Sequence, residues 1–303
     1  MANITSANAA SAIVKLVATD ALPALLANLI MGNLVNRNYE PLLAKQGDTA
    51  NVPIPPVLTA NSIAETGSVA TQNPNLGNAQ IVLNTHVEAS FEVSDVLQAL
   101  STPDIILTYM QPAINAIATK IETDLLALYA SFSSNGPVGI PGSALTEATI
   151  DAAETVLFNA LVPADDQLNL VVDPNSYSAL RQIERFSEQR MNGQLGADAI
   201  NKGKFLEAKG FNVFRSQLVV KTGSSPVATH NIAFHKNAIG LIVRKLPQAM
   251  AGLGAVQEYV EQSNFGMRVT MSYQPNQLAQ LITVDALYGV GVLRNAFGIR
   301  VEA

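Results

Sequence analysis

Residues 64–93 read AETGSVATQNPNLGNAQIVLNTHVEASFEV. In the second half, Ile81, Leu83, Thr85, Val87, Ala89, Phe91 and Val93 fall on one side, and Asn84, His86, Glu88, Ser90 and Glu92 on the other. Period two is the signature of a strand with one covered face. Upstream, TQNPNLGN (71–78) supplies the Asn, Pro and Gly dihedrals of a loop tip. The stretch is therefore expected to be one arm of a long hairpin. A two-stranded hairpin alone is marginal in water, so its apolar face needs cover from elsewhere.

The composition says what kind of surface surrounds this hairpin. The chain has 303 residues, enough for one large domain or two ordinary ones, and only 14% are charged, against about a quarter in an average soluble domain. A surface so poor in charge suggests extensive cover by other protein. Cysteine is absent, which excludes disulfides, thiolate metal sites and Cys nucleophiles, and three histidines make a structural zinc site improbable. The apolar run at 9–30 is broken by Lys15, Asp20 and Pro23, so it is expected to form two short amphipathic helices of an N-terminal arm rather than a signal peptide or membrane span. Charge is segregated. Residues 46–180 hold fourteen acidic residues and one basic, whereas 181–245 hold eleven basic and four acidic. Opposite patches on one subunit favour head-to-tail association, which closes into rings or extends into lattices.

The rest of the chain mixes helical and strand patterns. KQGDTANVPIPP (45–56) reads as a turn and an exposed edge segment, because Pro53, Pro55 and Pro56 cannot donate to a central ladder. From 103 to 132, Ile114, Ile117, Ile121, Leu125, Leu128 and Phe132 recur at spacings of three and four, predicting a long helix that Pro112 kinks or splits. Residues 133–144 are a loop, 146–161 an amphipathic helix, 168–173 a buried strand, and 174–188 a helix opened by Pro174. A glycine-bearing segment without periodicity (190–204) precedes alternating strands that continue to the C-terminus. The fold class is mixed α+β, with interleaved segments.

Chemistry is hard to find. Gly-x-Ser-x-Gly, the phosphate-binding loop and His-Glu-x-x-His are all missing. GLG (252–254) and GVG (289–291) lack a third glycine and read as turn and packing positions. His230 and His235 have no further ligands nearby in sequence, and Asp165 with Asp166 reads as a solvated loop. Catalytic, cofactor and metal residues are therefore not assigned, and the sequence does not look like an enzyme. Its acidic balance also argues against nucleic-acid binding by charge neutralisation.

The order of segments is informative where single motifs are not. An N-terminal arm leads to GDTANVPIP and a hairpin ending THVEASFEVSDVLQAL, then to a long helix with ETDLLALYA, followed by LNLVVDPNSYSAL. GKFLEAKGFNVFRSQLVV, IAFHKNAIGLIVRKLP and ITVDALYGVGVLRNAFGIRV complete it. Over residues 40–303 this order resembles the major capsid protein of tailed bacteriophages. The resemblance implies an arm (1–45), an extended loop (56–85) reaching over a neighbour, and a discontinuous peripheral domain (46–55, 86–136 and 245–283) on a spine helix at about 103–132. An axial domain (137–244 and 284–303) would complete the subunit.

Implied with the fold is a non-enzymatic subunit, without cofactor, that self-assembles into hexamers and pentamers of an icosahedral shell around double-stranded DNA. It would act in the virion after assembly in the bacterial cytoplasm, with a portal protein, a separate scaffolding protein and an optional decoration protein, and without a membrane. Expected inter-subunit contacts are Glu65, Ile81, Leu83, Val87, Glu88, Phe91 and Glu92 of the hairpin, against a basic region of Arg181, Arg185 and Arg190. No lysine lies between Gln46 and Thr119, so a crosslink started by a loop lysine, which some members form, is not available. An encapsulin-type compartment resembles the same fold, and a soluble binding protein or hydrolase is the rival from another class.

Overall fold

The computed structural model describes residues 29–39, 49–96 (apart from 57, 64, 66, 70 and 75), 105–163 (apart from 133), 165, 167–183, 207–248, 255–262 and 265–303. The chain runs from a short helical turn, α1 (Met31–Leu34), through strands β1 (Thr49–Ile54), β2 (Gly77–Val82) and β3 (Thr85–Ser94), into a long helix, α2 (Ile105–Ala127), ending in a 3-10 turn at Leu128–Ser131. There follow β4 (Val138–Gly139), α3 (Glu147–Asn159), β5 (Leu168–Val172), α4 (Pro174–Gln182), β6 (Glu207–Ala208), β7 (Phe211–Arg215), β8 (Lys221–Thr222) and β9 (Ala228–His235). The last part is nearly all strand: β10 (Ile239–Arg244), β11 (Ala255–Gln262), β12 (Phe265–Gln274), β13 (Ala279–Val292) and β14 (Gly298–Glu302).

α2 forms where the three-four spacing predicts, and it carries Pro112 without interruption. Met110, Ile114, Ile117, Ile121 and Leu125 line its buried side, making the apolar stripe that a helix lays against a sheet. That sheet has five strands in the order β10–β13–β12–β11, with β3 along the opposite edge of β13. β13 organises it: residues 279–285 pair with β12, 287–292 with β10, and 279–288 with β3. Its even-numbered residues Ile282, Val284 and Ala286 are buried toward α2, opposite Phe91, Ala89 and Val87 of β3.

A second sheet of seven strands contains β4–β14–β9–β5–β7–β6, with β8 added on β9. Every residue of β5 is buried, as expected of a central strand. α3 starts at Thr146, whose hydroxyl accepts the Thr149 N–H, and packs on β14. α4 starts at Asp173, whose carboxylate accepts the Asn175 N–H at 3.0 Å, with Pro174 at the first helical position. A single apolar cluster runs from α2 through both sheets.

Ile239–Arg244 and all of Ala279–Val292 pair within the α2-backed sheet, which therefore runs across positions 244 and 284, where the expected domain boundaries lie. The expected single strand 81–93 is two strands separated at Leu83 and Asn84. β2 pairs with β1 (Ile54↔Gly77 to Thr49↔Val82), whereas β3 pairs with β13. The hairpin arms are therefore β1 and β2, and the apolar alternation runs on unchanged while the chain crosses from one face of the sheet to its edge.

Candidate assembly surface

The β1–β2 ribbon lies on the sheet face opposite α2, and small residues make the seat. A Cβ on Gly289 would sit 2.4 Å from the Val82 carbonyl oxygen, and one on Gly240 would sit 2.5 Å from Ile81 Cδ1. On this seat Ala50, Val52, Ala79, Ile81 and Leu83 form an apolar cluster with Ile242 and Leu293. Ile81 is fully buried. The ribbon is thus covered inside its own chain.

This overturns the expectation that Ile81 and Leu83 await a neighbouring subunit. Val87 and Phe91 are half-buried against the main core, and the Phe91 ring lies 6.0 Å from that of Tyr109 on α2. Their apolar side too is covered from within. Glu88 and Glu92 are exposed on the far side of β3, and Glu65 is exposed in the loop. Arg181 is exposed in the last turn of α4. Arg185 and Arg190, the N-terminal arm before residue 29, the first positions of the expected helix at 103–104, and the 190–204 segment lie outside the described residues.

What remains uncovered is the excursion between the two ribbon strands. Residues 55–76 carry no helix or strand among those described. One side chain ties them across: Gln72 Oε1 accepts the Thr59 N–H at 3.1 Å, and Gln72 Nε2 donates to the Thr59 carbonyl. Leu58 (62%), Ile63 (53%), Val69 (76%) and Leu76 (62%) stand exposed along this loop. Four large apolar side chains thus stand uncovered on one polar excursion. They are too widely spaced to make a periodic signal.

The charge segregation is partly spent within the chain. Lys209 bridges Glu147 and Asp151 of α3, at 3.1 Å each, and Lys221 reaches the buried Asp173 at 2.9 Å. These bonds raise the Lys209 pKa, chiefly through the hydrogen bonds to Glu147 and Asp151. Two of the basic residues credited to an intermolecular patch are therefore tied to acidic residues of their own subunit.

Several further polar groups among the described residues form structural pairs. Asp285 is 3% exposed; it accepts Arg268 Nε at 3.0 Å and His86 Nε2 at 2.9 Å. Tyr288, fully buried on β13, donates to Asp124 of α2 at 2.7 Å, and burial drives its hydroxyl pKa far upward. His235 meets Asp165 at 3.0 Å, while His230 meets Thr222 at 2.7 Å and stacks on Tyr129. Asp165, expected to be merely solvated, thus has a histidine partner from β9. Burial lowers the His230 pKa more than Glu302 raises it. The two histidines serve separate contacts. No group of metal-ligating side chains occurs among the described residues, and no helix there is long and apolar enough to cross a membrane.

Comparison with solved structures brings these features together. A structure from Mycobacterium phage Che8 superposes over 90% of both chains with a TM-score of 0.65 at 16% identity. The capsid of Ralstonia phage GP4 matches 89% of this chain and 87% of its own, with a TM-score of 0.64 at 12% identity. The chain has the phage-capsid fold. The capsid of the cyanophage P-SCSP1u agrees, at a TM-score of 0.62 and 17% identity over 90% of this chain and 87% of that one. No protein-family model matches the sequence, and no curated protein does. The mixed α+β class and the resemblance read from segment order are both upheld by these capsid-fold neighbours. At such identities the likeness lies in the order and packing of elements, not in shared side chains.

Proposed function

We propose that the chain is a structural subunit of a tailed-phage head, assembling through hexamers and pentamers into a closed shell around double-stranded DNA. The observation that carries this reading is structural correspondence with phage capsids over 89–90% of this chain and 87% of theirs. The exposed loop supports it. Full burial of a Leu, Ile or Val side chain is worth about 1.5–3 kcal/mol. Leu58, Ile63, Val69 and Leu76 together would then offer several kcal/mol per contact before the cost of ordering the loop. Repeated around a shell, contacts of that size make a stable particle by multivalency. Glu65 in the loop, and Glu88 and Glu92 on the exposed side of β3, are candidates for pairing with basic residues of the next copy, Arg181 among them. A portal, a separate scaffolding protein and a decoration protein are the further partners this role would bring.

The test is expression followed by negative-stain electron microscopy of the wild type and of a Leu58→Asp/Val69→Asp double variant. Wild-type shells, together with a variant that stays a folded, unassembled subunit, are expected. A variant that still forms closed shells would refute the loop contact, and a wild type that remains monomeric when co-expressed with the phage's assembly proteins would refute the shell role.

A further inference from the structure

We propose, resting on the shell-subunit reading, that the concavity at the end of β10 receives Glu65 from the extended loop of a second copy and holds it between Arg244 and Lys245. Residues 55–76 include a single charged side chain, that of Glu65, and it is exposed. The exposed Ile63 lies two residues before it, among the loop's four large apolar groups. A surface complementary to this segment needs positive charge set against apolar walls. The concavity offers both: Arg244 and Lys245 line it together with Leu246, Pro247, Gln248 and Leu287, around a volume of about 600 Å³.

Its wall is pinned from beneath. Arg268 Nη1 donates to the Pro247 carbonyl at 2.6 Å, while Arg268 Nε is held by the buried Asp285 at 3.0 Å. Lys245 Nζ lies 4.9 Å from the centre of the Tyr259 ring, a contact that orients the ammonium and leaves its charge in place. Lys209 and Lys221, in contrast, are neutralised by carboxylates of their own chain. Register explains why a second copy supplies the loop. The Ile81 side chain lies over Gly240 and Gly291, and the Val82 carbonyl over Gly289. As β2 leaves its loop end at Gly77 it therefore travels toward Leu287. Arg244, the partner of Leu287, is four residues past Gly240 on β10, roughly 13 Å farther from the loop end. Loop and concavity thus occupy opposite ends of the ribbon's seat. A projection at one end and its receptor at the other make a heterologous contact, which repetition closes into a ring.

Charge reversal in the full chain tests this, under the expression conditions that give wild-type shells, with sedimentation and negative-stain microscopy as readouts and circular dichroism as the check on folding. A like charge in the concavity should cost each contact more than about tenfold in affinity. Glu65→Lys and Lys245→Glu are therefore each expected to remain folded, unassembled subunits. The double variant Glu65→Lys/Lys245→Glu restores opposite charges at every contact and should recover closed shells. Shells from either single variant overturn the proposal, and so does a folded double variant that stays unassembled. Should Lys245→Glu misfold, Lys245→Ala takes its place: combined with Glu65→Lys it should raise the shell yield over Glu65→Lys alone, and no gain overturns the proposal. Shells from Glu65→Lys while Leu58→Asp/Val69→Asp stays unassembled would remove this receptor and leave the loop contact standing, whereas assembly of both would remove the loop contact itself.

Discussion

Replacing Gly289 by alanine should loosen the β1–β2 ribbon without disturbing the sheet beneath it. The added Cβ would lie 2.4 Å from the Val82 oxygen, 2.9 Å from the Val82 carbonyl carbon and 3.2 Å from Leu83 Cα. All three are backbone atoms, so no side chain can rotate away and the ribbon itself must rise. Overpacking of this kind costs about 1–3 kcal/mol. Its consequences should be local, because six ladder pairs and the small cluster around Ile81 are what hold the ribbon. Neighbouring glycines set the scale. At Gly240 the first obstacle is Ile81 Cδ1 at 2.5 Å, the far end of a side chain that can turn, and at Gly291 the nearest atom is Ile81 Cγ1 at 3.2 Å. The expected order of destabilisation is Gly289→Ala, then Gly240→Ala, then Gly291→Ala. Urea unfolding would give the order, and hydrogen exchange at Ala50 and Val52 would show whether the ribbon alone opens. If Gly289→Ala exchanges and unfolds like the wild type, the seat is not tight and the account of what fixes the ribbon is wrong.

Three further outcomes follow from the buried polar pairs. Arg268→Ala leaves Asp285 buried with only the half-exposed His86 beside it, and should cost about 3–5 kcal/mol in urea unfolding. Tyr288→Phe removes the bond from β13 to Asp124 on α2 while Lys120 still pairs with that carboxylate, so a loss of about 1–2 kcal/mol is expected in the same measurement. Asp173→Ala deletes both the cap of α4 and the partner of Lys221. Helical exchange protection at Tyr177 should fall with about 1–2 kcal/mol of local stability, and Asp173→Asn, which keeps an acceptor, should lose less.

The legible parts of this sequence were those in which one local pattern decides one element. The Ile114–Leu125 spacing marked α2, Thr146 and Pro174 marked two helix starts, and the apolar run 168–172 marked the central strand of the second sheet. The break at Leu83 and Asn84 was hidden because Ile81 and Val87 keep the same parity while resting on different clusters, one on the ribbon side and one toward α2. The length of β13 was hidden for a related reason. GVG at 289–291 looks like a strand terminator by propensity, yet here the absence of side chains lets the ribbon approach, and the strand runs on to Val292. Close approach between distant segments leaves no periodic trace. The contact of the Glu122 carboxylate with the Met31 N–H, between residues 91 positions apart, was invisible for that reason.

The correction at Ile81 sharpens the case for assembly rather than weakening it. Had the ribbon been held only by a neighbour, the free subunit would present a disordered strand, and each docking event would have to fold it. Fixing a residue's backbone costs about 1–2 kcal/mol, so ordering twelve ribbon residues would consume most of what a few apolar contacts return. Seating β1 and β2 on Gly240, Gly289 and Gly291 moves that cost into folding of the subunit. On the proposed reading, the apolar part of the intermolecular step falls to residues 55–76, which start from a folded base and are tied across by Gln72 and Thr59. Such a division makes ribbon and loop separable by experiment: Ile81→Ala should lower subunit stability by about 2–5 kcal/mol, whereas Val69→Ser, at a site 76% exposed, should leave it within about 0.5 kcal/mol and weaken only particle formation. Equal effects of the two on the isolated subunit would show that the loop is part of the fold and not a free arm.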